Sequence, residues 1–240
     1  SVVSTQRRAR IFSSAFFKAP TGQYVITAML KPKAILIWDF DGVLFETERY
    51  RFDLFHGFVT YGVSKDAVLG AYKEMRSRNE HLSLDGFIRT LRGKNIVLPR
   101  KALHEINDRN LRNKRYYSPR VDAVLHRMKK RGFLQMVVSM GSAPYQRKKM
   151  FVGCGTRFSR HFASINVTTR PKYFMISKIR KTYPGVPLIF IDDTIETLDL
   201  VKKHVPTVKT IHYSNISGTS LTRLEKQILM YAKKHQEENS

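Results

Sequence analysis

Three short segments of the 240-residue sequence hold groups that do chemistry when they meet: Asp39-Phe40-Asp41-Gly42, Ser139-Met140-Gly141 and Asp192-Asp193-Thr194. Carboxylates crowded together repel one another unless a cation neutralises them. Oxygen ligands suit a hard ion, and Mg²⁺ takes one or two carboxylates while keeping waters and phosphate oxygens. A carboxylate can also be a nucleophile, splitting one hard displacement into two easier ones. A second carboxylate two residues on can pass a proton to and from the reacting oxygen. A serine hydroxyl, backbone N–H groups and a lysine stabilise the charge that a phosphoryl group carries in transit. Taken singly, each segment says little. Asp-x-Asp is common in surface loops, and an aspartate pair before Thr194 would also serve as a helix N-cap.

Their context makes them a set, because each follows a short apolar run. Residues 34–38 (Ala-Ile-Leu-Ile-Trp), 133–138 (Phe-Leu-Gln-Met-Val-Val) and 187–191 (Pro-Leu-Ile-Phe-Ile) read as strands buried on both faces of a parallel sheet. Residues 163–167 and 208–211 predict two more strands. Amphipathic stretches at 118–130, 172–182, 194–204 and 220–234 predict helices between them. The alternation predicts an α/β fold, a doubly wound (Rossmann-like) parallel sheet covered on both faces. Ligands of such sheets bind beyond the carboxyl ends of the strands, which is where the three segments fall.

One region breaks the alternation. From 47 to 116 only helical patterns are read, separated by Gly62, Gly93 and Pro99, with Ser64 and Ser83 as N-caps. Phe52, Leu54, Phe55, Phe58 and Val59 are expected to line one helix face. The organisation predicted is a core over 29–46 and 117–240, a small all-helical insert over 47–116 and a basic tail over 1–28. That tail holds Arg7, Arg8, Arg10 and Lys18 and no acid, a composition shared with organellar transit peptides. A solvated tail, or sequence upstream of a start at Met29, is the preferred reading, since a cleaved targeting peptide is not normally kept in a mature chain. A cytoplasmic location is expected, organellar if 1–28 is a targeting remnant.

Forty-three Lys and Arg against nineteen Asp and Glu leave a net charge of +24. Such a field attracts phosphorylated metabolites, nucleic acid or an anionic membrane surface, unless it is only a general surface adaptation. The single cysteine, Cys154, excludes an intrachain disulfide framework. Set between Gly153 and Gly155, it reads as a small packing residue rather than a nucleophile. No apolar run reaches the roughly 18 residues of a membrane span, so no membrane association is expected.

The run Ile35-Leu-Ile-Trp-Asp-Phe-Asp-Gly-Val-Leu-Phe-Glu-Thr-Glu48 closely resembles the first motif of the haloacid dehalogenase-like hydrolase superfamily. Val137-Val-Ser-Met-Gly141 is similar to its second motif, and Phe190-Ile-Asp-Asp-Thr194 to its fourth, in the paired-aspartate variant. The resemblance implies Asp39 as nucleophile and Mg²⁺ ligand, and Asp41 as general acid/base and a ligand through its backbone carbonyl. It implies Ser139, Met140 and Gly141 around the transferring phosphoryl group, and Asp193, helped by Asp192, completing the metal site. The third motif is a lysine near the start of the helix before the last catalytic strand. The family commonly has Lys directly before Pro, where this chain has Arg170, so Lys172 is the choice and Lys178 the runner-up. The 47–116 insert then corresponds to the helical cap of many members, which closes over the site and selects the substrate. Glu46, Glu48 and Arg49 sit at its entrance, and Arg76, Arg78, Arg89 and Arg92 are candidates for an anionic substrate.

The resulting expectation is a phosphomonoester of a small metabolite cleaved through an aspartyl-phosphate. Members that cleave carbon–halogen bonds typically lack the second aspartate, so Asp41 argues against that activity; a phosphomutase keeps both. The rival from another class is a non-catalytic basic protein that keeps the fold and binds RNA. Its support is the charge and the clusters Lys129-Lys-Arg131, Arg147-Lys-Lys149 and Arg170 with Lys172. Against it stands the intact set of aspartates, for which a surface binder has no physical need.

Overall fold

Successive side chains of a strand point to opposite faces, so a strand covered on both sides must be apolar throughout. Ile35–Trp38 (β1) meets that condition, with all four residues buried. The structure, a computed structural model, describes residues 32–78, 80, 83–112, 116–155, 157–215 and 220–237. The basic tail and the expected boundary at Met29 lie outside them.

The other strands are Leu134–Met140 (β2), Ser164–Thr168 (β3), Leu188–Asp192 (β4) and Val208–His212 (β5). All pair in parallel, in the order β3-β2-β1-β4-β5. The chain winds outward from β1 to β3, then crosses back to β4 on the other side of β1. The direction of winding reverses between β1 and β4, the point at which α/β doubly wound sheets of this kind bind their ligands. Ser139 and Asp192 lie inside β2 and β4 rather than after them, because the ladders continue into the polar ends of those strands.

Alternation sends Ile35, Ile37, Met136, Val138, Leu188 and Phe190 to one face. There they meet Ile176 and Ile179 of Lys172–Thr182 and Leu198 and Val201 of Ile195–His204. Leu36, Trp38, Val137, Ile189 and Ile191 point the other way, onto Pro119–Lys130 and Leu221–Glu237. Gln135, buried between them, accepts from Trp38 Nε1 (3.2 Å) and donates to the Leu125 carbonyl (2.8 Å). Its polar atoms are thus paired, as burial requires.

Between β1 and residue 119 lie α1 (Thr47–Thr60), α2 (Lys65–Ser77), α3 (Leu84–Arg92) and α4 (Arg100–Arg112), with no strand among the described residues. Ser64 Oγ accepts from Ala67 N–H and Ser83 Oγ from Gly86 N–H, satisfying amides that the first turn leaves over. The face expected for α1 needs correction. Tyr50, Leu54 and Phe58 point inward at four-residue spacing, whereas Phe52 is 71% exposed and Val59 is also exposed. At about 100° per residue, position 52 lies nearly opposite position 54. The remaining helices, in chain order, are α5 (Pro119–Lys130), α6 (Ala143–Lys148), α7 (Lys172–Thr182), α8 (Ile195–His204) and α9 (Leu221–Glu237). After α6 come a π-helical turn, Lys149–Gly153, and a 3₁₀ turn, Phe158–His161. Among the described residues no helix is long and apolar enough to cross a membrane.

Candidate active site

Asp39 stands one residue past β1, and its N–H donates to the Ile191 carbonyl (2.8 Å). That bond carries the β1–β4 ladder into the crevice and aims the Asp39 side chain there. Asp39 Oδ1 accepts from Phe40 N–H (2.7 Å), and Oδ2 lies 2.7 Å from Lys172 Nζ. Lys172 opens α7 and is 2.7 Å from Asp192 Oδ2 as well. Asp192 Oδ1 accepts from Thr194 N–H (2.9 Å), which fixes the loop beyond β4. The next residue, Asp193, lies over Gly42, where an added Cβ would come 2.0 Å from Asp193 Oδ2. Gly42 also has φ +73°, a left-handed conformation open mainly to glycine. Asp39, Asp192 and Asp193 each present one oxygen, all within 4.8 Å of one another.

The charge balance of this cluster is unfavourable. Burial pushes the Asp39 carboxyl up to about 8; Lys172 works against the rise, and Asp192 and Asp41 add to it. Asp193 is raised by burial and then by Asp192. Burial disfavours the Lys172 ammonium, but Asp39 and Asp192 outweigh that and raise its pKa. One ammonium among three carboxylates leaves the group holding protons. A hard divalent cation would relieve this, since Mg²⁺ takes oxygen ligands from one or two carboxylates and completes its shell with other oxygens.

Ser139 lies in β2 two residues beyond Val137, the residue paired with Trp38. It is 1% exposed, and its Oγ has no hydrogen-bond partner among the described residues. A buried hydroxyl of this kind is suited to an anionic oxygen. The Gly141 N–H is already donated to the Thr168 carbonyl (2.9 Å), and the Met140 carbonyl accepts from Gln146 Nε2 (3.0 Å). Cys154 is buried and its thiol pushed far up by that burial, a packing residue with no nucleophilic character.

The Asp41 carboxylate is not part of the cluster of three. Its Oδ1 pairs with the ammonium of Lys149 and accepts from Thr47 Oγ1 (2.8 Å), and its Oδ2 accepts from Gln146 Nε2 (2.7 Å). Burial would raise its pKa, yet Lys149, Gln146 and Thr47 together hold it below the usual carboxylate range. Any share of Asp41 in holding a cation falls to its backbone carbonyl. Lys149 and Gln146 were not singled out from the sequence as site residues. Their one signal was three-residue spacing on the helical stretch directly after Gly141. Lys149 corrects the reading of cluster 147–149 as basic surface, and Lys172, the lysine chosen for the site, is likewise lost to that surface: they are 4% and 6% exposed.

Lys178 is exposed on α7. Arg49 pairs with Glu46 (3.3 Å) and Glu48 with Arg51. Arg78 is engaged by Glu74, Glu80 and Thr90 within the insert, and Arg76, Arg89 and Arg92 occupy exposed positions. A groove of about 950 Å³ between α1 and α4, lined by Asp53, His56, Glu105 and Arg109 among others, contains none of the clustered carboxylates.

No protein-family model matches the chain, and no curated protein sequence does. Solved structures do. A haloacid dehalogenase-like family hydrolase from Xanthomonas campestris superposes with a TM-score of 0.60 at 11% identity, over 86% of this chain and 95% of that one. A HAD-hydrolase from Bacillus subtilis bound to magnesium gives 0.53 at 12% identity, over 83% and 98%. The L-2-haloacid dehalogenase of Xanthobacter autotrophicus gives 0.53 at 10% identity, over 82% of each chain.

Proposed function

We propose, on the premise that this chain has the fold of the haloacid dehalogenase-like hydrolases, that it is a magnesium-dependent phosphohydrolase. Its substrate is a phosphomonoester of a small metabolite, and its intermediate an aspartyl-phosphate on Asp39. The observation that carries the reading is the meeting of Asp39, Asp192 and Asp193, the first two paired with Lys172, at the reversal of the sheet.

Asp39 attacks phosphorus, the bond to the leaving oxygen breaks, and that oxygen takes a proton from Asp41 in its protonated form, which Lys149, Gln146 and Thr47 disfavour in the free protein. Water then gives a proton back to Asp41 and breaks the bond between phosphorus and Asp39, releasing inorganic phosphate. Lys172 holds the nucleophile in line, and the Ser139 hydroxyl receives a peripheral phosphoryl oxygen. Asp39, Asp193 and the Asp41 carbonyl, with Asp192 in support, would hold Mg²⁺, whose positive charge would keep the nucleophile ionised and offset charge on the phosphoryl group.

Solved neighbours include dehalogenases. Asp41 favours phosphoryl transfer, because dehalogenation has no leaving oxygen to protonate. A mutase reading keeps the same groups and differs in what the insert admits. The RNA-binding rival loses two of the cations counted for it, since Lys149 and Lys172 are buried against aspartates.

With Mg²⁺ the protein is expected to release phosphate from p-nitrophenyl phosphate or from a panel of metabolite phosphates. Asp39→Asn is expected to lower this by roughly 10³-fold or more. Equal release by wild type and variant would remove Asp39 from its role.

A further inference from the structure

A lysine ammonium inside a protein needs a partner that makes up for lost water. Lys149 is 4% exposed and lies over the rings of Phe40 (5.4 Å), Phe45 (5.3 Å) and Tyr145 (5.4 Å). Its one carboxylate partner among the described residues is Asp41. A buried ion pair adds little stability over well-packed apolar residues, so stability alone gives no reason for a lysine here.

The backbone that places it is also unusual. α6 gives way at Lys149 to the π-helical turn Lys149–Gly153, a rare geometry found often at functional sites. Within this turn Lys149, Met150 and Gly153 are buried, and a Cβ at Gly153 would come 3.2 Å from both Phe45 and Leu111 of α4. Just before it, Tyr145 is hydroxyl-bonded to Tyr50 of α1 (2.9 Å), whose oxygen donates to Asn107 of α4 (2.8 Å). The segment bearing Lys149 is therefore seated against both the first catalytic loop and the insert.

We propose that Lys149 is the positioning residue for Asp41, fixing the carboxylate that serves the leaving group. The inference rests on the phosphohydrolase reading above. Asp41 lies on a loop, and its carboxylate is held by Lys149 and Thr47 on one oxygen and Gln146 on the other. Without Lys149 the Oδ1 side keeps only the Thr47 hydroxyl; the carboxyl would protonate more readily, but small displacements of a catalytic group are expensive in rate, and the positioning role requires that displacement outweigh the easier protonation. Lys149 acts through Asp41 and does not itself touch the reacting atoms.

The consequence depends on the leaving group. An alkyl phosphate releases a strongly basic oxygen and needs the Asp41 proton; acetyl phosphate releases a weakly basic carboxylate and scarcely needs it. The test compares the full-length wild type, Lys149→Met and Lys149→Arg with Mg²⁺ on glycerol 2-phosphate and acetyl phosphate. Lys149→Met is expected to lower kcat/KM, which reports the first displacement, by about tenfold or more on the alkyl ester and by less than about threefold on acetyl phosphate; the water step, which uses Asp41 as base after either leaving group, is common to both. Lys149→Arg is expected to recover part of the alkyl rate. The acetyl phosphate arm reports that the variant is folded. Equal losses of kcat/KM on both substrates, or an undiminished alkyl kcat/KM, would overturn the positioning role. A wild type inert on both substrates would overturn the phosphohydrolase reading and this inference with it.

Discussion

At Asp39 the governing quantity is charge balance. Its carboxyl is pushed up to about 8, chiefly by burial, from an ordinary 3.8. A carboxyl raised in the folded state gives stability that is complete below its unfolded pKa and lost as pH rises through the folded one. In chelator, the melting temperature is therefore expected to fall from about pH 4 to about pH 8, and the fall to vanish in Asp39→Asn. Mg²⁺ competes with the proton, so it should stabilise more at the upper pH than at the lower; an equal effect at both would separate metal binding from Asp39. Asp41 is shifted the other way, and its contribution is lost only as pH drops below the ordinary carboxylate range. Gly42 adds a steric test. Gly42→Ala drives a methyl into Asp193 at a left-handed φ. It is expected to weaken Mg²⁺ affinity by about 10–100-fold, read as a shifted Mg²⁺ dependence of the melting temperature. An unshifted dependence would mean that Asp193 does not hold the ion.

The elements show where pattern reading succeeds and where it slips. Ser64 and Ser83 cap their helices as expected because capping is local: a hydroxyl reaches amides three residues on, whatever surrounds it. The α1 face was misjudged because five apolar residues at 52, 54, 55, 58 and 59 cannot all share one stripe, and sequence alone does not say which the neighbouring helices will cover. Phe58 is buried with its ring 4.9 Å from that of Phe87, and Phe52 stacks only on His56. Phe58→Ala is expected to destabilise by about 3–5 kcal/mol and Phe52→Ala by less than about 0.5 kcal/mol in chemical denaturation. Comparable losses would mean that Phe52 is covered in solution.

Across the whole molecule, a charge of +24 surrounds a crevice whose own side chains are mainly acidic. A small phosphorylated substrate would be drawn in by the distant field and repelled close up unless the crevice is neutralised. Raising salt from about 20 to 200 mM is therefore expected to raise KM several-fold while kcat holds, since screening weakens attraction over more than about 10 Å. A KM indifferent to salt would leave the charge without a part in substrate capture.

The strands, the alternation with helices and the grouping of Asp39, Ser139 and the 192–193 pair were legible in the linear order. Continuous apolar runs have few ways to be buried, and a parallel sheet gathers its carboxyl ends along one edge. Lys172 was legible only through the family resemblance, and nothing in the linear pattern marked Lys149. Arg147-Lys-Lys149 and Arg170-Pro-Lys172 look alike as basic clusters, yet Lys149 and Lys172 are buried against aspartates more than a hundred residues away in one case and twenty in the other. A π-turn and the start of α7 aim them there. Burial of a charge depends on partners brought together across the fold, and no local pattern encodes that partnership.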